Sequence, residues 1–351
     1  MTTYRRTDPM MDDAIYKEDI ETLSSKKYPW HILNGNRILV TGATGMIGSI
    51  IVDTLVSVIS KGYDFSITAM SRDMDRLNNS FGRYENHKLK LIPHDVNDPI
   101  EGEYDIIFHC ASNTHPLQYS NDPIGTITTN VIGLNNLLKV KSKDGGRFVF
   151  LSSVEIYGNN RGDTESFDET YCGYIDCNTV RAGYNESKRL GESLCQAYAK
   201  QQGIDFVIPR LSRSFGPSLK RDDTKALSQF LFKAAKGENI VLKSDGLQRY
   251  SYIYSADAAD GVFFTLFYGN NKEAYNIAGF DGTLREIAET ICQMSGVGLE
   301  FDTPEKSEKE GYSTATVATL DIDKICRKGW KPTYNLKESL QRTLASMKET
   351  I

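Results

Sequence analysis

Residues Arg37-Ile-Leu-Val-Thr-Gly-Ala-Thr-Gly-Met-Ile-Gly48 join a short β-branched run to a glycine-rich turn. Arg37–Thr41 reads as a strand that stops at glycines, and MIGSIIVDTLVSVIS (46–60) carries apolar residues at helical spacing. Placed between strand and helix, the three glycines have separate uses. Gly42 lets the chain turn sharply, Gly45 leaves room for a pyrophosphate against backbone N–H groups, and Gly48 lets helix and strand pack closely. The positive end of the helix then faces the phosphates, with Thr44, Met46 and Ile47 in the same turn.

Further strands are expected at Phe65–Met70, Leu89–Pro93, Tyr104–Phe108, Arg147–Leu151 and Phe206–Pro209, with amphipathic stretches between several of them, notably 121–141. Strand alternating with helix implies parallel pairing and right-handed crossovers, hence an α/β fold with a doubly wound parallel Rossmann sheet. From about residue 211 the alternation loosens into helices mixed with short strands, which predicts a smaller C-terminal lobe. The expected division is an N-terminal packing extension over 1–36, a dinucleotide-binding domain over 37–210, and mainly the smaller lobe over 211–351.

Composition narrows the function classes. The 351 residues are 40% hydrophobic and 25% charged, close to globular averages. Lys and Arg total 41 against 46 Asp and Glu, a net charge of −5, and such a chain is a poor general binder of nucleic acid. No run approaches the roughly 18 apolar residues of a membrane span. The N-terminus is polar, with no apolar core of a secretory signal. Six scattered cysteines without a CxxC pair predict neither a disulfide scaffold nor a zinc site, so a cytoplasmic enzyme with reduced thiols and no metal is expected.

Two carboxyl ends of strands bear on the dinucleotide. The second strand runs into Met70-Ser71-Arg72, where an acidic residue would grip the adenosine ribose of NAD; a Ser–Arg pair suits the 2′-phosphate of NADP, although Asp73 follows at once. After the third strand, Asp95-Val96 presents a carboxylate to the adenine amino group.

The chemistry is expected at Tyr184-Asn-Glu-Ser-Lys188. Four residues make just over one helical turn, so phenol and ammonium share a face. A cation beside a phenol favours phenolate and lowers a pKa ordinarily about 10, giving a base for a hydroxyl proton. Ser153, at the end of the fifth strand, puts a hydroxyl where a ligand crevice forms.

These residues together resemble an extended short-chain dehydrogenase/reductase acting on nucleotide sugars. The resemblance runs from about residue 37 to about 340 and rests on TGATGMIG (41–48), HDVNDP (94–99), His109-Cys-Ala-Ser112, Thr129-Asn-Val-Ile-Gly133, LSSVEIYG (151–158), YNESK (184–188), Pro209-Arg210 leading to Phe215-Gly-Pro217, and Tyr254-Ser-Ala-Asp257. It implies NAD in the larger domain and a nucleoside-diphosphate sugar in the smaller lobe. It also implies cofactor contacts from Cys110, Ala111, Ser112, Tyr184 and Lys188, and a homodimer built on the Tyr184 helix and the 121–141 segment. Asn130 is grouped with the cofactor residues, a helix-to-sheet tether being its other reading; His109 is expected to be structural and Cys110 core. By the same resemblance Ser153 orients a sugar C4 oxygen, Tyr184 moves its proton, and Lys188 tunes Tyr184 and holds the nicotinamide ribose.

Three fates follow C4 oxidation in similar enzymes. Dehydration uses an Asp–Glu pair, here Val154-Glu155, and valine cannot donate a proton. Epimerisation needs no further carboxylate. Decarboxylation of a uronic acid fits best: UDP-glucuronate decarboxylases carry Glu at the position of Glu155, and resemble this chain around Arg181–Arg189, HCASNTHP (109–116) and NDPIGTITTNVIG (121–133). A 4-epimerase or an NADPH-dependent 4-ketoreductase is the alternative, and a non-catalytic dinucleotide-binding scaffold a remote one. Two positions depart from the decarboxylase pattern. Its arginine seven residues before the Asp of YxxD is Tyr250 here, with Arg249 beside it but on the opposite face of a strand. Arg213 replaces a usual Asn and is expected to clamp a diphosphate or a substrate carboxylate. Lys220, Arg221 and Lys225 form either a solvated face or a contact to the nucleotide phosphates.

Overall fold

The computed structural model describes residues 12–84, 88–114, 121–143, 145–220, 223–302 and 316–349. Its strands are β1 (Arg37–Thr41), β2 (Ser66–Ser71), β3 (Leu89–Pro93), β4 (Ile106–His109), β5 (Arg147–Phe150), β6 (Ser152–Ser153), β7 (Phe206–Leu211), β8 (Arg213–Phe215), β9 (Ile240–Leu242), β10 (Arg249–Tyr254), β11 (Glu273–Ile277), β12 (Phe280–Thr283), β13 (Leu299–Phe301) and β14 (Val317–Ala318). The large sheet has the order β11-β7-β5-β4-β1-β2-β3, with β6 continuing alongside β7, and every pairing in it is parallel. The chain winds outward from β1 to β3, then crosses back to lay β4 against β1. That reversal opens a crevice at the carboxyl ends of β1 and β4.

A parallel sheet covered on both faces needs strands apolar on both sides. Leu39, Val40, Ile107, Phe108, Phe148 and Val149 are accordingly all buried. The helix Met46–Ser60 is buried along most of its length, because a further helix, Ala14–Ser24, lies over it. Tyr16, Ile20 and Leu23 of that outer helix pack with Ile50, Tyr254, Ala256 and Ala259. Tyr16 also donates to the Asp53 carboxylate at 2.8 Å.

The smaller lobe is built on β12-β10-β14, with β8 beside β10, and on the β13–β9 pair. Part of the chain after 210 belongs to the large sheet. β11 returns to the large sheet and pairs with β7, and the helix Ser255–Tyr268 sends Val262 and Phe263 into the core against Phe108 and Val149. The reason is the edge of β7, whose unpaired backbone groups need a partner strand. The segment expected as one helix over 121–141 is Pro123–Thr128 and Leu134–Lys139 joined by a π-turn, Thr129–Gly133. No helix among the described residues is long and apolar enough to cross a membrane.

Candidate active site

A cleft of about 1370 Å³ runs from the β1 turn, past the carboxyl ends of β4 and β6, to the smaller lobe. At one end Gly42 has φ +63°. A Cβ there would stand 2.6 Å from the Ala111 nitrogen, and one on Gly48 would stand 2.3 Å from the Gly42 oxygen. The turn therefore closes against the β4 loop and the helix only without side chains. Gly45 occupies the N-cap of Met46–Ser60, and no side chain caps it. The N–H groups of that first turn are left for a ligand, and Met46, Ile47 and Gly48 line the cleft. This bare helix end fits a dinucleotide pyrophosphate.

The wall beyond the turn holds Ser71, Arg72, Asp95, Val96, Cys110, Ala111 and Ser112. Burial pushes the Cys110 thiol up to about 12, so it stays protonated. The loop after β3 is pinned by a residue the sequence did not single out: Asn136 donates its amide to the carbonyls of Val96, Asn97 and Asp98 at 3.1, 3.0 and 3.1 Å. Asn130 does not line the cleft. It is fully buried, accepts from the Ser112 hydroxyl at 3.0 Å and donates to Ser187 Oγ at 3.0 Å. These two bonds make it a tether, which the π-turn makes possible by carrying it inward.

Ser153, Glu155, Tyr184 and Lys188 converge at the middle of the cleft. The helix Ala182–Gln202 carries Tyr184 and Lys188, both buried. Burial pushes the Tyr184 phenol up to about 12; a hydrogen bond with the Ser153 side chain pulls it down, and the Glu155 charge pushes it further up. The lowered phenol pKa expected from a neighbouring ammonium is thus not seen. Lys188 instead donates to the Leu151 carbonyl at 2.8 Å and lies 4.7 Å from the centre of the Phe150 ring. Loss of water lowers Lys188 from 10.5 to about 8. His109 is buried, with Nδ1 2.9 Å from Thr41 Oγ1 and its ring stacked on Phe150. Burial holds it well below 6.5, so it is a neutral packing residue.

Beyond the tyrosine, Glu155 sits between two guanidiniums. Arg213 Nη2 is 3.5 Å from Oε1, and Arg181 Nη2 is 3.5 Å from Oε2. Asn185 donates to the Glu155 carbonyl at 2.8 Å and holds the segment in place. The Arg213 guanidinium lies over the Tyr250 ring, 3.7 Å from its centre. Its Nη1 is buried and has no hydrogen-bond partner among the described residues. Arg181 was visible in the sequence only as part of a longer phrase; its spacing of three from Tyr184 was the signal that it shares that helix face. Arg249 does not join the cleft, and its grouping with the substrate residues is corrected. The pleat turns it outward, 48% exposed and 3.7 Å from Glu286. Lys225 lines the smaller-lobe end of the cleft with Lys220, its ammonium 3.7 Å from Asp223. Arg221, and His115-Pro116 of the 109–116 stretch, lie outside the described residues. Among the described residues no cluster of His, Cys, Asp or Glu is placed to hold a metal.

Comparison with known proteins identifies the family. UDP-glucuronic acid decarboxylase 5 of Arabidopsis thaliana is 31% identical over 305 residues, 87% of each chain. UDP-glucuronic acid decarboxylase 1 of Xenopus tropicalis is 29% identical over 338 residues, 93% of this chain and 76% of that one. Among solved structures, the fold is shared with UDP-glucuronic acid 4-epimerase from Bacillus cereus, solved with UDP-glucuronic acid and NAD (TM-score 0.75, 20% identity, 90% of this chain and 100% of that one). It is shared equally with dTDP-glucose 4,6-dehydratase from Streptomyces venezuelae, solved with NAD (TM-score 0.75, 24% identity, 89% of this chain and 97% of that one). A family model matches residues 38–278, a span that opens within β1 and closes just past β11 and so takes in the whole large sheet. The chain therefore belongs to the NAD dependent epimerase/dehydratase family of enzymes, and NAD is its cofactor.

Proposed function

We propose that this enzyme oxidises a nucleoside-diphosphate sugar at C4 and then removes the C5 carboxylate of a uronic acid as carbon dioxide, the reaction for which its UDP-glucuronic acid decarboxylase relatives are named. Bound NAD supplies the hydride acceptor. Ser153 orients the C4 oxygen and Tyr184 takes its proton, the Ser153 hydrogen bond favouring the phenolate that does so. Lys188 holds the nicotinamide ribose. A C4 ketone makes the C5 carboxylate a β-keto acid. The C5–C6 bond breaks, its electrons pass to C5 and the C4 oxygen, and C5 then takes a proton, for which Glu155 is the nearby carboxyl group; return of the hydride to C4, with the proton given back by Tyr184, restores the C4 alcohol and the oxidised cofactor.

One observation carries the uronate reading. Arg213, stacked on Tyr250 and reaching towards Glu155 beside Arg181, has a buried guanidinium nitrogen still in need of an acceptor. A substrate carboxylate satisfies it with a charge-assisted bond, about twice as strong as the bond a neutral sugar hydroxyl offers. Arg213 on β8 thereby takes over from the neighbouring strand, where position 250 is a tyrosine. Lys225 contacts the diphosphate of the nucleotide.

The same reading makes the chain a cytoplasmic homodimer. All six cysteines are free thiols, as suits a reducing compartment. Ile124, Ile127 and Ile132 are exposed along Pro123–Gly133, and Leu190 is exposed on the Tyr184 helix, so the two helical segments offer apolar surface to a second copy. Mass spectrometry after incubation with UDP-glucuronate tests the chemistry. A product lighter by one carbon dioxide, with no net change in reduced cofactor, is expected. An unchanged mass would mean epimerisation, loss of water dehydration, and stoichiometric consumption of NADPH a ketoreductase; each overturns decarboxylation.

A further inference from the structure

β8 and β10 run side by side and in parallel, with Arg213 registered against Tyr252. Side chains two places apart on a strand share a face, and so do registered partners on parallel neighbours. Arg213, Tyr250 and Tyr252 therefore stand on one face, and all three line the cleft. The Tyr252 ring is fixed by its aromatic neighbours. It stacks on Phe280 of β12, with centres 6.1 Å apart and planes at 19°, and meets the Tyr250 ring edge-on at 6.4 Å. Tyr252 is 1% exposed, and its hydroxyl is buried with no hydrogen-bond partner among the described residues.

A phenylalanine would make the same ring contacts without leaving a buried donor unpaired, which costs the free protein stability. Burial pushes the Tyr252 phenol up while the Arg213 charge pulls it down, so the group stays protonated and lies within the field of that guanidinium. Two buried donors, the Tyr252 hydroxyl and Arg213 Nη1, thus stand on one wall of the cleft with no acceptor among the described residues. We propose that Tyr252 is a specificity-determining residue, its hydroxyl donating to the same C5 carboxylate that Arg213 takes. A carboxylate can accept from both, because it offers two oxygens with about four lone pairs. The inference rests on the uronate reading and adds to it a second donor from the neighbouring strand.

Calorimetric titration of the full chain with UDP-glucuronate and with UDP-glucose, NAD present, tests it without reference to turnover. Tyr252→Phe is expected to weaken UDP-glucuronate about tenfold and UDP-glucose no more than about threefold, since a bond to a neutral hydroxyl is about half as strong as one to a carboxylate. In the Arg213→Ala background the same substitution should cost UDP-glucuronate no more than about threefold, because the two donors share one acceptor group. Without ligand, Tyr252→Phe should melt no lower than the parent, having lost only an unpaired hydroxyl. A lower melting temperature would place the hydroxyl in a bond within the protein, and equal weakening of the two ligands would place it against a part they share; either overturns the inference. A parent preference for UDP-glucuronate that Tyr252→Phe leaves intact overturns this inference alone. A parent that binds the two ligands equally overturns the uronate reading, and this inference with it.

Discussion

Tyr184 and Lys188 are both stripped of water, and burial acts on them in opposite directions. The phenol rises to about 12 while the ammonium falls to about 8. Tyr184→Phe is expected to lower kcat by about a hundredfold to ten-thousandfold, with dinucleotide affinity retained by calorimetry. For Lys188 the folded value lies below the unfolded 10.5, so burying the charge costs stability in full below about 8. That cost is lifted as pH rises from about 8 towards 10.5. Lys188→Met should therefore gain most over the parent near neutral pH, and the gap between their melting temperatures should close across that window. A gap that does not vary with pH would contradict the burial account. Arg213→Ala should weaken UDP-glucuronate binding by about tenfold to a hundredfold and leave UDP-glucose within about twofold. Arg213→Lys should not restore it, because an ammonium lacks the planar fork.

At the scale of elements, the turn between β1 and the helix Met46–Ser60 is held by close approaches that a side chain would break. In Gly48→Ala the new Cβ meets the Gly42 carbonyl oxygen at 2.3 Å, a backbone atom that cannot step aside without moving the turn. A loss of about 1–3 kcal/mol is expected, together with loss of dinucleotide affinity, read by thermal melting and titration. The turn was legible in the sequence because each of its requirements is local, a glycine set between a β-branched run and an apolar helix. The outward turn of Arg249 was legible for the same reason, since alternation along a strand is a local rule. Arg181, Glu155 and Arg213 were not legible as one site. They come from a helix end, a 3₁₀ turn and a strand of the smaller lobe, and only packing brings them together.

Over the whole molecule, the N-terminal helix is part of the body and not an appendage. Asp19 accepts from Arg342 at 2.7 Å and from Tyr254 at 2.6 Å, so the helix bridges the helix Leu336–Glu349 and β10. Removing residues 1–25 uncovers Ile50 and leaves Asp53 without Tyr16. Loss of several kcal/mol is expected from an exposed apolar face and a buried carboxylate short of a donor, visible as a lower melting temperature. The proposed homodimer makes a separate claim: Ile127→Glu should yield monomers in sedimentation velocity while the circular dichroism spectrum is unchanged.

The sequence by itself determined the alternation of strand and helix, the glycine turn, the one-turn spacing of Tyr184 and Lys188 and the strand-end position of Ser153, because these follow from residue spacing and backbone geometry alone. Tertiary structure decided the return of β11 to the large sheet, the inward tether at Asn130, the convergence of Arg181 and Arg213 on Glu155, and the protonation of Tyr184 and Lys188. Those depend on contacts between residues far apart in the chain and on exclusion of water, and burial outweighed the phenol–ammonium proximity that spacing suggested.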